Sequence, residues 1–426
     1  MRIASITAGA GGMYCGSCMR DNTLATALIA MGHEALLLPT YTPITTDEAN
    51  VSSGRVFLGG VNVYLQQKSW LFRVAPKFVD AIFNARGLLK WAGGFVGSTD
   101  YSKLGPMTIS LLRGKDGKQK KEIAKLVDWF EAEYRPDVIL LTNALLSGIV
   151  PPLREALNVP IWTTLQGDDV FLDGLPPKDR EACLELMRRN DRSTAGYLVT
   201  SRDYADYIAT YTGLPREKMK VVHPGLNPKG HGGLRPRPDR PPTLGFFARF
   251  APEKGFEKLV DAYLKLRKEW NEPVKFRFGG WLGSKHRGYF DAQVKRLHDA
   301  GFAGDVERVD CPDLPSKVRF FQSIDVLSVP TVFREPKGLY VLEAWANGVP
   351  VVQPDVGAFP ELVDRTGGGL IYPHGDGEAH VASLHRLLGD NSLSLELGRR
   401  GHDGLHRELT AKYMAEATLD AITSPR

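Results

Sequence analysis

The sequence predicts an α/β protein made of two doubly wound domains, each a parallel sheet with helices on both faces. Three observations lead there. The chain has 426 residues, more than one hydrophobic core organises and suited to two domains of about 200 residues each. Short apolar runs of strand length alternate with stretches of helical periodicity along both halves, the pattern that builds parallel β-α-β units. Residues 227–242 hold five prolines, three glycines and four basic side chains, a linker composition that parts the two halves. The expected organisation is a first domain over 1–226, the linker, a second domain over 243–408, and a C-terminal helix over 409–426.

Composition narrows the function classes. Hydrophobic content of 43% and charged content of 24% are those of an ordinary globular protein. A net charge of +5 is small for this length; it tolerates an anionic ligand but is no nucleic-acid signature. No RNA-binding or zinc-finger pattern accompanies it, so nucleic acid is not an expected partner. Met1-Arg-Ile-Ala-Ser-Ile-Thr7 reads as a first strand and not as a signal peptide, and no apolar run reaches ~18 residues. Cys15, Cys18, Cys183 and Cys311 do not form an extracellular disulfide framework. The expected location is the cytoplasm, with a peripheral position at the inner membrane surface as a variant of it.

The first domain opens with the strand at residues 2–7, the glycine loop Ala8-Gly-Ala-Gly-Gly12, and a helix from about Asn22 to Met31. Residues 32–39 close this first β-α-β unit. The glycines allow a backbone to approach an anion, but a dinucleotide fingerprint needs glycine at position 14, which is Tyr14. Cys15-Gly-Ser-Cys18 reads as small residues in a tight loop; a redox pair is the second reading, because a helix N-terminus lowers a nearby thiol's pKa. Residues 68–95 interleave Lys68, Arg73, Lys77, Arg86 and Lys90 with aromatic side chains. They read as a helical excursion covering the sheet, or as a contact with an anionic membrane surface. Residues 137–141, 159–164 and 197–201 are further buried strands, and 221–225 the last of this domain. The strand ending at Thr164 runs into Gln166, Asp168 and Asp169, where the two aspartates suit ligand hydroxyls or a helix cap.

The second domain opens with a strand at 243–249 and a helix reaching about Trp270. Arg249 and Lys254 flank the turn between them, where two cations can neutralise a diphosphate, Arg as a fork and Lys as a point charge. A strand at 276–281 and a helix from Gly288 to Ala300 follow. Residues 311–317 lead a helix into the apolar run Ile324-Asp-Val-Leu-Ser-Val-Pro330, a buried parallel strand. Beyond it Leu339, Leu342 and Ala346 give a helix its inward stripe, and Gly348 ends that helix before the strand at 349–352. Glu335 therefore sits at a strand's carboxyl end, where open α/β sheets bind ligands. The free N–H groups of Gly338, Leu339 and Tyr340 open the helix as an anion site. A strand at 367–372 and helices over 380–388, 393–400 and 411–422 complete the chain.

The stretch Phe333-Arg-Glu-Pro-Lys-Gly-Leu-Tyr-Val-Leu-Glu-Ala-Trp-Ala-Asn-Gly-Val-Pro-Val-Val352 and its continuation to Pro360-Glu-Leu362 resemble the E-x7-E motif of the retaining glycosyltransferases of the GT-B fold, family 4. The resemblance is strongest over 245–362 and thinnest over 41–135. It implies two Rossmann-like domains facing across a cleft, with the acceptor in the first and a nucleotide-sugar donor in the second, and a C-terminal helix over 409–426 that crosses back to the first domain. It further implies that Glu343 binds the ribose hydroxyls, Glu335 the transferred sugar, and Arg249, Lys254 and the N–H groups at 338–340 the departing diphosphate. Gly11 and Gly12 match the family's glycine loop, which faces the donor phosphates and the acceptor. Gln166 takes the place of a common family histidine, and Lys337 that of an apolar residue, where it reads either as a solvent-facing lysine or as a contact to an anionic sugar or phosphate.

The implied activity is transfer of a sugar from a nucleoside-diphosphate sugar to a sugar, glycan or lipid-linked hydroxyl, with retained configuration. No carboxylate-based metal motif is evident, so neither metal nor other cofactor is expected. A nucleotide-sugar isomerase or epimerase of the same fold and a non-catalytic sugar-nucleotide binding protein are the alternatives.

Overall fold

The computed structural model describes residues 1–9, 15–54, 56–58, 104–234, 236, 239–270 and 272–424. They form two compact units, Met1–His223 with Met414–Arg426, and Pro224–Tyr413. Gly11, Gly12 and the aromatic and basic segment at 68–95 lie outside the described residues. Among the described residues, no helix is long and apolar enough to cross a membrane.

In the first unit the strands are β1 (Arg2–Thr7), β2 (Glu34–Pro39), β3 (Val138–Leu141), β4 (Ile161–Leu165), β5 (Gly196–Val199) and β6 (Met219–Val221). They pair in parallel in the order β2-β1-β3-β4-β5-β6. Every residue of β3, β4 and β5 is buried, as befits a parallel sheet covered on both faces, whose strands read as unbroken apolar runs. The last strand falls earlier than expected, at Met219–Val221. The first helix, Gly16–Ala30, also starts ahead of the expected Asn22, so Cys15-Gly-Ser-Cys18 leads into and forms its first turn instead of a separate loop. Burial of Cys18 and Ala25 against Leu37 and Ile44 outweighs the weak helix propensity of glycine and serine there.

The second unit holds β7 (Thr243–Phe247), β8 (Lys275–Gly279), β9 (Val306–Val309), β10 (Val326–Leu327), β11 (Val351–Pro354) and β12 (Gly369–Tyr372). Their order is β12-β11-β10-β7-β8-β9, again parallel. The winding direction reverses between β7 and β10, and ligands of doubly wound sheets bind beyond the strand ends at such a reversal. The strand β9 is not expected from sequence; it is an edge strand whose middle residues, Glu307 and Arg308, are exposed. Pairing at β10 is shorter than the expected 324–330. Beyond Leu327 the chain is held by other bonds: Ser328 Oγ donates to Val352 O at 2.7 Å, and Val329 N to Gln353 Oε1 at 3.2 Å.

The helix Leu339–Ala346 differs from its expected one-sided stripe, because every residue from Tyr340 to Ala346 is buried. Trp345 at its centre is fully buried and donates from Nε1 to Gly368 O at 2.8 Å. A Cβ at Gly401 would lie 2.2 Å from the same indole. Described residues of the expected linker bond within this unit: Gly232 N donates to Asn347 Oδ1 at 2.8 Å, and Arg240 Nη1 to Asp325 Oδ2 at 2.7 Å. Leu226 exchanges backbone bonds with Leu409 and Ala411, at 2.9 and 2.7 Å. The helix Ala411–Thr423 follows, and from Met414 onward the chain belongs to the first unit.

Trp345→Ala removes the largest buried side chain of this core and one internal hydrogen bond. It lowers the unfolding free energy by about 3–5 kcal/mol, measured by denaturant titration; a loss below about 1 kcal/mol contradicts this packing.

Candidate functional site

The site is built where two loops leave the sheet at the winding reversal. After β7 the chain passes Arg249 and a short turn of 3-10 helix, Pro252–Lys254, before Gly255 starts the helix Phe256–Glu269. After β10 it passes Glu335 and enters the helix Leu339–Ala346. The two loops touch backbone to backbone. Val332 N donates to Glu253 O at 3.0 Å, and a Cβ on Gly255, whose φ is +72°, would stand 1.9 Å from Pro330 O. Only glycine fits that position. Gly357, with φ +65°, does the same on the other side of Glu335, where a Cβ would lie 2.3 Å from the Glu335 carbonyl. Ala358 N donates to that carbonyl at 2.8 Å.

Glu335 is thereby fixed with only 4% exposure. Its Oε2 accepts a hydrogen bond from Lys254 Nζ and one from Tyr340 Oη at 3.3 Å. Its Oε1 accepts from the backbone N–H groups of Lys337 and Gly338, each at 3.3 Å. Burial opposes the carboxylate's charge, but the Lys254 ammonium, the Lys337 charge and the Gly338 N–H prevail and hold the pKa at about 2. Tyr340 moves the other way: burial and the adjacent Glu335 carboxylate push its hydroxyl well above the ordinary range. Lys254 Nζ also stands 4.7 Å from the Phe333 ring centroid and 5.5 Å from that of Tyr340, so its charge is held by a carboxylate and two aromatic faces.

Arg249 Nη2 donates to Glu253 Oε1 at 3.0 Å, and its side chain is 37% exposed, which leaves the guanidinium within reach of solvent. Glu343 lies in the helix that Leu339 opens. It is 5% exposed and its Oε1 accepts from Lys317 Nζ at 2.5 Å. The second unit thus brings together Arg249, Lys254, Glu335, Lys337, Gly338, Leu339, Tyr340 and Glu343 on the loops and helix starts after β7 and β10. Among the described residues no group of three or more His, Cys, Asp or Glu side chains converges in a metal-binding arrangement.

The remaining candidates lie in the first unit. Gln166, 3% exposed, follows β4 and donates from Nε2 to Thr142 O at 2.9 Å, beyond the end of β3. Asp168 accepts from Ala144 N at 2.7 Å and Gln166 N at 3.2 Å. Asp169 accepts from Tyr204 Oη at 2.5 Å, and burial raises its pKa. Both aspartates thus bond groups of their own unit at the start of the helix Asp168–Asp173. Cys18 is buried, and its hydrogen bond with Cys15 and its burial push its thiol well above the ordinary range.

Sequence reasoning passes over Lys317 and Glu253. Lys317 carries a readable signal: with Phe320, Phe321 and Ile324 it falls at i, i+3, i+4 and i+7, placing a lysine on the apolar face of its helix. Glu253 carries none beyond its place in the turn.

Comparison with known proteins bears on both units. A sequence model described as "Glycosyl transferases group 1" matches residues 241–390, and one described as "Glycosyl transferase 4-like domain" matches 22–225. The chain is 32% identical to a D-inositol 3-phosphate glycosyltransferase of Jonesia denitrificans over 312 residues, which cover 67% of this chain and 70% of that protein. It is 30% identical over 186 residues to the lipopolysaccharide core biosynthesis glycosyltransferase LpsE of Rhizobium meliloti, covering 43% of this chain and only 50% of that relative. Two solved structures share the fold over nearly the whole chain. Sucrose-phosphate synthase from Thermosynechococcus elongatus superposes with a TM-score of 0.69 at 17% identity, over 99% of this chain and 98% of that one. Anabaena HepE in complex with UDP superposes with a TM-score of 0.67 at 13% identity, over 100% of both chains.

Depression of the Glu335 pKa sets a sign for stability. A carboxylate lowered from 4.5 to about 2 contributes stability that is fully present above its ordinary pKa and is lost as pH falls through the folded value. Unfolding free energies measured across pH 4.5 to about 2 therefore fall less steeply for Glu335→Gln than for the parent. Equal slopes contradict the assigned ion pair.

Proposed function

The chain belongs to the group 1 glycosyltransferases, and we propose that it moves a hexosyl group from a nucleoside-diphosphate sugar to a hydroxyl on a sugar, glycan or lipid-linked acceptor. One observation carries the reading of the site: Lys254, the charge of Lys337 and the N–H of Gly338 converge on a buried Glu335 at the winding reversal. In this reading Glu335 receives hydroxyls of the transferred sugar, Glu343 receives the ribose diol, and Arg249, Lys254 and the N–H groups of Leu339 and Tyr340 receive the diphosphate, the Gly338 N–H being held by Glu335 instead.

The chemistry follows from where charge develops. As the glycosidic bond to the diphosphate breaks, negative charge grows on the leaving oxygen. Cations and oriented N–H groups already fixed there stabilise it without reorganising, usually the largest catalytic contribution. Lys254 is shared with Glu335 and Arg249 with Glu253, so both cations are oriented in advance. Fixed cations and a helix terminus supply the charge that a divalent ion would otherwise bring, which supports metal-independent transfer. Retention fits a front-face departure in which the diphosphate assists the incoming hydroxyl, because a glycosidase-like double displacement needs a positioned nucleophile.

HepE has been solved with UDP and with UDP-glucose, which supports a nucleotide-sugar donor here. Gln166 and Lys337 are the two positions at which these residues depart from the family pattern. The transferase names of the relatives do not favour the isomerase or the purely binding reading.

Thermal unfolding in the presence of UDP, GDP and ADP, with EDTA and then with Mg²⁺, tests the donor site. A ligand specific to the folded state adds about 2.7 kcal/mol at 100 Kd. One nucleotide raises the midpoint equally with and without metal, and Glu343→Ala abolishes the rise. No rise with any nucleotide contradicts the donor assignment, and a rise only with Mg²⁺ contradicts the metal-free one. Proton NMR of the product glycoside shows the donor's anomeric configuration; the opposite anomer contradicts retention.

A further inference from the structure

Lys317 is a lysine enclosed in a core. It lies on the helix Leu314–Gln322, whose start is fixed by Asp313 accepting from Ser316 N at 2.8 Å. That helix buries Lys317 together with Val318, Phe320 and Phe321. Lys317 Nζ donates to Glu343 Oε1 at 2.5 Å, and both side chains retain only 6% exposure. One helix enters β10 and the other follows the loop that leaves it. The pair therefore ties together the two helices on either side of the strand at the winding reversal.

Stability does not account for this pair. Moving two charges out of water costs several kcal/mol each, and apolar residues of similar volume at such positions are often neutral or stabilising. The ion pair adds orientation. A charge-assisted bond holds the carboxylate at one angle, and Asn347 fixes the helix behind it, donating from Nδ2 to Glu343 O at 2.8 Å. Asn347 Oδ1 in turn accepts from Gly232 N at 2.8 Å. A group held in its binding geometry spends less of its interaction energy on being ordered when ligand arrives.

We propose that Lys317 is a positioning residue of the donor site, holding the Glu343 carboxylate for the two vicinal hydroxyls of a nucleoside diphosphate's ribose. The proposal rests on the assignment of Glu343 made above. Its consequence is selectivity: Lys317 strengthens binding through the ribose hydroxyls and through nothing else on the nucleotide.

Calorimetric titration separates this role from a merely structural one. The probes are UDP, GDP and ADP and the 2′,3′-dideoxy counterpart of whichever binds. The proteins are the parent chain, Lys317→Met, which keeps the volume, and Lys317→Gln, which keeps an N–H donor without the charge. The parent binds the ribonucleotide at least about tenfold more tightly than the dideoxy form, the equivalent of one charged hydrogen bond. Lys317→Met loses that preference while its dideoxy affinity stays within about twofold, and Lys317→Gln restores part of it. Should Lys317→Met fail to fold, a weakened ribose preference in Lys317→Gln with unchanged dideoxy affinity supports the positioning role equally well. Equal weakening of both ligands in the variants makes Lys317 structural only and overturns the proposal. A full ribose preference in the variants also overturns it, while Glu343 keeps its role. A parent chain that does not distinguish the two ligands removes the Glu343 assignment itself, and the proposal with it.

Discussion

The donor-side architecture depends on one buried ion pair, Lys254 with Glu335, which joins residues 81 positions apart in sequence. Everything nearby serves to make that contact. The doubly wound order sets β7 beside β10, so that the loops leaving them are neighbours. Gly255 and Gly357 let three backbone segments close to distances that no side chain permits. Phe333 and Tyr340 wall the ammonium with aromatic faces. A buried ion pair is weak evidence for stability, since its desolvation offsets its attraction. Its value here is that it holds a carboxylate and a cation in place before any ligand arrives.

A second pair, Lys317 with Glu343, repeats the device on the helix that follows the Glu335 loop. The two glutamates of the E-x7-E spacing are thus each bonded to a lysine from an earlier crossover, and each is about 95% buried. Arg249 and Glu253 form a third, more exposed pair at the rim. Three cations and three carboxylates interleaved in this way leave little net charge until an anionic diphosphate arrives. Lys337 adds a positive charge beside Glu335 and tips the balance toward the anion. This graded arrangement, rigid at depth and solvent-accessible at Arg249, suits a ligand whose sugar and ribose ends are read by carboxylates and whose middle is read by cations.

Much of this is legible in the sequence, for identifiable physical reasons. Parallel strands buried on both faces leave apolar runs, so β3, β4, β5 and β7 can be placed within a few residues. The edge strand β9 escapes because its polar middle residues look like loop. Glu335, Glu343, Arg249 and Lys254 are visible through the resemblance of residues 245–362 to a known family; their places at strand ends and in a helix do not single them out alone. Lys317 is legible only in part: its place on an apolar stripe with Phe320, Phe321 and Ile324 can be read from sequence, but its partner Glu343 cannot. The first turn at Cys15-Gly-Ser-Cys18 looks like loop, since local propensity there is weak and burial decides it.

The most direct test of the account is a double-mutant cycle on transfer activity, with kcat/KM measured for Lys254→Met, Glu335→Gln and the two combined. If the pair acts as one unit, each single change lowers kcat/KM by about 100-fold or more, and the double variant is about as active as the weaker single one. Losses that multiply in the double variant, or transfer at the parent rate in either single variant, would contradict it.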